Sequence, residues 1–277
     1  MAVRRPRTAS GWAIASIWLL FIVMWIGGVT SYVLWGGVRA GDEWAAPVFL
    51  AVAGLLVLAA TGMPRACAFL AAGLVGFLFE WIGLSGGWLF SEYAYTDVLA
   101  PRLAGVPLVM ASAWMVLAAY VHDLLADRRW PPGARIVAGA ALLTTIDLVI
   151  DPLASGPLGY WQWALAGAFH GVPARNFAGW FAVGAVTLTL LHVVAPGGAG
   201  HRTTRAVGLS IVLFFTVLAV SFGLMASAGA GVAVCAVHLW LSRAGVRRGP
   251  LFGWDPAREK RNRTRATGPG AAPDRAG

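Results

Sequence analysis

Residues 11–35 read GWAIASIWLLFIVMWIGGVTSYVLW, without a single charged side chain. A hydrocarbon core about 30 Å thick is crossed by roughly 20 apolar residues at a helical rise of ~1.5 Å each, so this stretch predicts a membrane-spanning helix. It is too long for a signal-peptide core and shows no small-residue cleavage site, so it is expected to remain as a span. Comparable runs follow at Ala46–Thr61, Ala66–Leu84, Val106–Ala126, Ala134–Ile150, Phe177–Ala195, Ala206–Met225 and Ala228–Leu241, the second, fifth and eighth of the series being short. Hydrophobic residues make up 58% of the 277 and charged residues 12%. A soluble domain carries about 25% charged residues, so the chain lacks the polar surface that water demands. The 14 Trp and 35 Gly suit lipid better, since Trp favours the membrane–water boundary and Gly lets helices approach closely. The prediction is an all-α, polytopic membrane helical bundle of about eight transmembrane helices.

The net charge of +9 would suit nucleic acid, but its placement argues for a topological signal and against that partner. With eight spans and an inside N-terminus, Arg4, Arg5, Arg7, Arg65, Arg128, Arg129, Arg135, Arg202 and Arg205 fall on the cytoplasmic side, against Arg39, Arg102 and Arg175 outside. That asymmetry in short loops sets both termini in the cytoplasm and predicts a multi-pass protein of the plasma membrane. Residues 1–243 are expected to form a single transmembrane domain. Residues 244–277 read as a basic, disordered cytoplasmic tail that rests on anionic lipid headgroups. Cys67 and Cys235 lie within apolar runs and are expected to be buried thiols, with neither a disulfide framework nor a metal site.

The acids at membrane depth carry the functional signal, because ionisable groups within spans are costly and mark sites by default. Glu80 lies near the outer end of the third run, and Asp147 and Asp151 lie at the outer end of the fifth. The i, i+4 spacing of the two Asp puts both carboxyls on one helix face, with Thr144 on the same stripe. All three acids sit near helix C-termini, where the macrodipole disfavours a carboxylate, in partial burial and beside like charge. At least one is expected to hold its proton near neutral pH and to be a candidate general acid. Structural roles also fit: Asp151 before Pro152 can end a helix, and Glu80 can bond a neighbouring helix. Two long loops, Ser85–Gly105 and Asp151–Asn176, face the acids with Trp88, Phe90, Tyr93, Tyr95, Tyr160, Trp161 and Trp163. These aromatics form either an interfacial belt or a wall with π faces for an apolar substrate and a cationic intermediate. Asn176 is a natural N-cap, and Arg175 is either the counter-charge to an ionised Asp or an interface residue. His122, Asp123, His192 and His238 lie toward the inner side, outside this cluster and without metal-ligand spacing.

No Gly-x-Gly-x-x-Gly, nucleophile-elbow Ser or His-rich box is present, so redox and acyl-transfer chemistry have no visible support. The Asp147-x-x-x-Asp151 pair is similar to the acidic motifs with which membrane prenyltransferases hold magnesium diphosphate. Those enzymes use two such motifs, and no acid occurs between Asp151 and Asp255.

A closer match lies in an ordered set of motifs. Phe79-Glu80-Trp81-Ile82-Gly83, Tyr93-Ala94-Tyr95 and Leu103-Ala104-Gly105-Val106-Pro107-Leu108 are followed by Asp147-Leu148-Val149-Ile150-Asp151-Pro152 and Gly159-Tyr160-Trp161-Gln162-Trp163. The set ends with Gly171-Val172-Pro173-Ala174-Arg175-Asn176-Phe177-Ala178-Gly179-Trp180. Across residues 79–180 the chain resembles the membrane carotenoid hydratase family. The resemblance implies cofactor-independent addition of water to the terminal double bond of an acyclic carotenoid end, giving a tertiary alcohol. The residue reading suits that chemistry, with Asp147 or Asp151 expected as proton donor and Glu80 as the group that positions water. Tyr93, Tyr95, Trp161, Trp163, Arg175, Asn176 and Trp180 would contact the substrate, with no metal. The partners the resemblance implies are the lipophilic carotenoid, membrane lipids and other membrane enzymes of the same pathway. A prenyltransferase and a non-enzymatic carotenoid-binding or transport protein are the alternatives.

Overall fold

The computed structural model describes residues 9–39, 41–195 and 200–245. Eight helices occur among them: α1 (Ala9–Trp35), α2 (Ala45–Ala60), α3 (Met63–Gly86), α4 (Val109–Leu125), α5 (Pro132–Ser155), α6 (Ala174–Val194), α7 (Arg202–Ser221) and α8 (Met225–Gly245). Six are long and apolar enough to cross a membrane, whereas α2 and α4, of 16 and 17 residues, are shorter. The chain is a polytopic helical bundle. The tail read from residue 244 onward lies, from residue 246, outside the described residues.

The bundle is built around α4. Trp114 to Val121 of that helix are wholly buried, and α3, α2, α7 and α5 pack around it. α6 packs on α5 and α3, and α8 on α7 and α5. α1 is peripheral: it lies against α2 and α7 through Phe21, stacked on Phe49 at 5.0 Å, and Trp25, whose indole N–H bonds Ser210 O at 2.8 Å. The α3–α4 seam needs small residues, as close approach in lipid does. A Cβ at Gly76 would overlap the Trp114 side chain. Cys67, expected inside, is instead exposed on α3, and Cys235 is half-buried; both are free thiols. Their apolar runs place them in the membrane without placing them in the protein core, because lipid accepts an apolar flank as readily as a neighbouring helix does.

Basic residues gather at one end of the bundle. There the wholly buried Asp123 of α4 pairs with Arg65 of α3 and accepts the His201 backbone N–H at 3.0 Å. Its carbonyl oxygen takes two bonds from Arg205 of α7, at 2.9 and 2.6 Å. A buried charge is stable only when paired and hydrogen-bonded, so this knot ties α3, α4 and α7 together and accounts for Asp123 without a catalytic role.

The opposite end carries short strands that apolar periodicity does not announce. β1 (Tyr93–Tyr95) pairs antiparallel with β4 (Trp161–Trp163), in the register Tyr93↔Trp163 and Tyr95↔Trp161. β2 (Arg102–Leu103) and β3 (Val106–Pro107) form a small hairpin. The expected span from Val106 therefore starts later, at Val109, because Val106-Pro107 is paired as strand. Two further boundaries move. α5 runs on through Pro152 to Ser155, so Asp151-Pro152 does not end it; Pro152, Leu153 and Ala154 are buried, and their packing holds the helix where the proline removes one backbone bond. Residues up to Met225, read as the end of the seventh span, belong instead to a turn at Gly223 (φ 72°) and to the start of α8.

Gly76 lies one turn before Glu80 on α3, so its packing also sets the height of that acid. Gly76→Leu is expected to cost about 1–3 kcal/mol through overpacking, read as a lower unfolding temperature of the purified protein in detergent. An unchanged midpoint would show that the seam has slack.

Candidate functional site

Strand alternation builds the lid of the site. Successive side chains on a strand point to opposite faces, so Tyr93 and Tyr95 are buried while Ala94 is exposed, and Trp161 and Trp163 face inward while Gln162 faces out. Pairing β1 with β4 sets these four rings on one inward face. Tyr93 lies 5.2 Å from Trp163, and Tyr95 lies 5.9 Å from Trp161. Each ring brings a polar hydrogen down to the acids.

Glu80 on α3 is buried and receives three donors. The Tyr93 and Tyr95 hydroxyls donate to Oε2 at 2.6 and 2.9 Å, and the Trp114 indole N–H donates to Oε1 at 2.9 Å. Burial, and after it the Glu80 charge, holds both phenols well above the ordinary tyrosine range, so they stay neutral donors at any physiological pH. Asp151 on α5 is held in the same manner. Trp161 and Trp163 donate to Oδ1 at 2.9 and 3.2 Å, and the Asn176 amide donates to Oδ2 at 2.5 Å. The same Asn176 nitrogen donates to Asp147 Oδ2 at 2.7 Å. Asp147 Oδ1 is buried without a hydrogen-bond partner.

Asn176 was read as an N-cap, and the structure gives it another task. α6 begins at Ala174, with Pro173 at the cap position, and Asn176 lies within the first turn with its side chain turned onto α5. It is the group that joins the two aspartates. Trp180, one turn on from Asn176, stacks on Trp114 at 4.2 Å. Arg175 is exposed, because a step of one residue rotates a side chain by ~100° around a helix, and it lies away from the acids. Thr144 returns its hydroxyl to Ala140 O at 2.9 Å and plays no part with Asp147. Trp88 is exposed.

The residues brought together enclose a cavity of about 20 Å³, lined by Glu80, Phe90, Tyr93, Tyr95, Met110, Asp151, Trp161, Trp163, Asn176 and Trp180. That volume is of the size that holds one water. No Arg, Lys or His is among the lining residues. An apolar chamber of about 50 Å³ adjoins it and shares the walls Met110, Trp161 and Trp180. Trp114 and Met110 were not singled out from the sequence. A Trp within a span, facing a small residue on its neighbour, was the signal for Trp114. Met110 carries no signal beyond hydrophobicity.

The fold and site define a multi-pass membrane protein whose carboxyl groups are buried beneath an aromatic lid, beside an apolar chamber. The family model described as "Carotenoid biosynthesis protein" matches residues 43–240, and the chain belongs to that family. It is 31% identical over 194 residues to bisanhydrobacterioruberin hydratase of Haloarcula japonica, a match covering 64% of this chain and 63% of that protein. The chain thus matches somewhat less than two thirds of that relative's length. No solved structure matches it.

Asn176→Leu removes the one donor shared by two buried carboxyls, and leaving buried polar groups unsatisfied costs about 1–3 kcal/mol. The variant is expected to unfold at lower temperature than the parent. A thermal midpoint equal to the parent's would mean that the two aspartates do not depend on this amide.

Proposed function

We propose that this protein is a carotenoid hydratase, adding water across the terminal double bond of an acyclic carotenoid end to give a tertiary alcohol. The observation that carries the reading is the placing of Glu80 and Asp151 on one water-sized cavity that shares an aromatic wall with an apolar chamber. The name of the Haloarcula japonica relative supports the same reaction class.

The chemistry divides between the two compartments. The isopropylidene end of the substrate reaches from the apolar chamber past the shared wall of Met110, Trp161 and Trp180 to the acids, where the water lies. A carboxyl proton of the Asp147–Asp151 pair adds to the less substituted carbon, and the electrons of the C=C bond form the new C–H bond. The tertiary cation that remains faces Trp161 and Trp180, whose π faces suit a positive charge, and a fixed carboxylate nearby stabilises it further. Water attacks the cation through oxygen, its surplus proton passes to Glu80, and that proton returns to the aspartate pair through the water that next fills the shared cavity, so the sum is addition of one water. No cofactor enters this balance.

Geometry favours Asp151 over Asp147 as the group that meets the substrate, since Asp151 lines the cavity. Asp147, joined to it through Asn176, is the second holder of the shared proton. Two ionised carboxyls on one amide, buried with no cation on the cavity wall, would carry a charge that protein interiors do not support; one proton between them removes the conflict. Glu80 faces only donors, the arrangement that suits a carboxylate, and it is the group that orients and deprotonates water. By the distribution of arginine, the basic end of the bundle faces the cytoplasm, with both termini on that side of the plasma membrane and the acid site toward the other.

The test is expression in a bacterial host that accumulates lycopene, with pigments analysed by mass spectrometry. A gain of one water per modified end is expected, insensitive to a chelator; a gain of a prenyl unit, or unchanged pigment, would contradict the reading. Asp151→Asn is expected to abolish product in protein that still inserts and folds, and Asp147→Asn to lower it by about 100-fold or more, the usual scale for a positioned acid. Full activity in both variants would remove the proposed proton donor.

A further inference from the structure

The apolar chamber beside the acids does not end at the site. Three of its lining residues, Leu50 of α2, Tyr160 of the lid loop and Phe215 of α7, also line a second and larger chamber of about 250 Å³. That chamber lies between α1, α2 and α7. Met24, Gly27, Gly28 and Ser31 line it from α1, Ala46 and Phe49 from α2, and Phe214 from α7. Acid cavity, middle chamber and outer chamber therefore form a series in which each compartment shares walls with the next: Met110, Trp161 and Trp180 at the first junction, Leu50, Tyr160 and Phe215 at the second.

We infer that this series is the binding channel for the polyene of the substrate, and that Leu50, Tyr160 and Phe215 form a waist through which the long chain must pass. The inference rests on the hydratase reading for the identity of the occupant. An end group held at the acids has a long, stiff, purely apolar remainder that must leave the site through protein. The middle chamber adjoins the acids, and it continues past the waist into the larger one. With this continuity, the walls point to a hydrocarbon: the middle chamber presents only carbon, and the larger one is mostly apolar, with its charged groups at the Asp42–Glu43 rim.

Several features keep the path open. Gly28 of α1 presents no side chain to it, and a Cβ there would come within 2.9 Å of the Phe214 ring. Tyr160 is held by its backbone, with its N–H on Ala154 O at 2.7 Å and its carbonyl taking the Thr96 hydroxyl at 3.2 Å. Tyr32 of α1 shares the wall of the larger chamber with it, so the waist's edge adjoins the peripheral helix. α1 is the most outward-facing helix of the bundle, with only 6% of its apolar window buried, and Gly27 is exposed on its flank. Beside Gly27 the chain passes from the outer chamber into lipid. The charged rim, Asp42 and Glu43 with Trp44, lies at the lid end, where the Glu43 carboxyl is exposed and held below the usual range by the backbone N–H groups of Glu43 and Gly41. A hydrocarbon does not leave by that route.

The test fills the waist without touching the acids. Leu50→Trp is compared with Leu55→Trp, a substitution of equal size on the exposed flank of the same helix. Each membrane-embedded variant is offered lycopene and β-farnesene, a short acyclic hydrocarbon with the same isopropylidene end. Leu50→Trp is expected to lose lycopene hydration by on the order of ten- to two-hundred-fold, the range over which apolar pockets discriminate, and to lose far less of the hydration of β-farnesene, whose shorter chain reaches less far past the waist; Leu55→Trp leaves both unchanged. A second readout is independent of turnover: lycopene retained on the purified protein, read from its visible absorption, is lost in Leu50→Trp and kept in Asp151→Asn. Leu50→Trp that hydrates and retains lycopene as the parent does would overturn the channel. So would equal loss of both hydrocarbons. Retention of lycopene that depends on Leu50, in a parent protein that hydrates neither compound, would instead uphold the channel and overturn the hydratase reading.

Discussion

Three carboxyl groups are buried at one end of this bundle, and no cation lines the cavity that two of them share. Water would solvate such groups and arginine would pair them; here neutral hydrogen-bond donors do the work. Two phenols and one indole serve Glu80, two indoles and one amide serve Asp151, and the same amide reaches Asp147. An unpaired buried charge is so costly that each donor must be in place. That requirement fixes the positions of α3, α4, α5, α6 and the lid relative to one another. The buried acid at the other end, Asp123, is satisfied in the ordinary way by Arg65 and a backbone N–H. The contrast between the two ends of one bundle separates an acid satisfied by a cation from acids held by neutral donors, and it supports the proposed roles of the latter.

A cage of neutral donors has a functional consequence. A cation beside the acids would stabilise their ionised forms and repel a developing carbocation. Indoles and phenols stabilise a carboxylate through neutral hydrogen bonds but repel no carbocation, and their faces suit positive charge. The same rings that solve the burial problem therefore form a wall fit for a cationic intermediate. In the proposed reaction, the division between a polar cavity and an apolar chamber, with Trp161 and Trp180 common to both, would keep water and hydrocarbon apart until the step that joins them. Membership of the carotenoid biosynthesis family supplies a hydrocarbon of the required shape.

Much of this was legible in the sequence. The eight helices follow from apolar runs, and Glu80, Asp147 and Asp151 stand out because charge is rare at membrane depth. The convergence of Tyr93, Tyr95, Trp161 and Trp163 was legible only as an aromatic enrichment. Strands of three residues have no readable period, and β1 and β4 are far apart in the chain, so their pairing leaves no local trace. From sequence Asn176 reads as an N-cap and Arg175 as a counter-charge or interface residue; helical rotation sends the first onto the acids and the second outward. Pro152 carries a local signal for termination that buried packing overrides. Trp114 was hidden among apolar residues, since its hydrogen bond to Glu80 crosses between helices.

The central claim is that a proton is shared by Asp147 and Asp151 at neutral pH, and infrared spectroscopy of the protein in lipid tests it most directly. The account predicts a protonated-carboxyl C=O band at neutral pH that shifts in deuterated buffer and disappears in both Asp147→Asn and Asp151→Asn. A spectrum showing only ionised carboxylates, unchanged by either substitution, would contradict it.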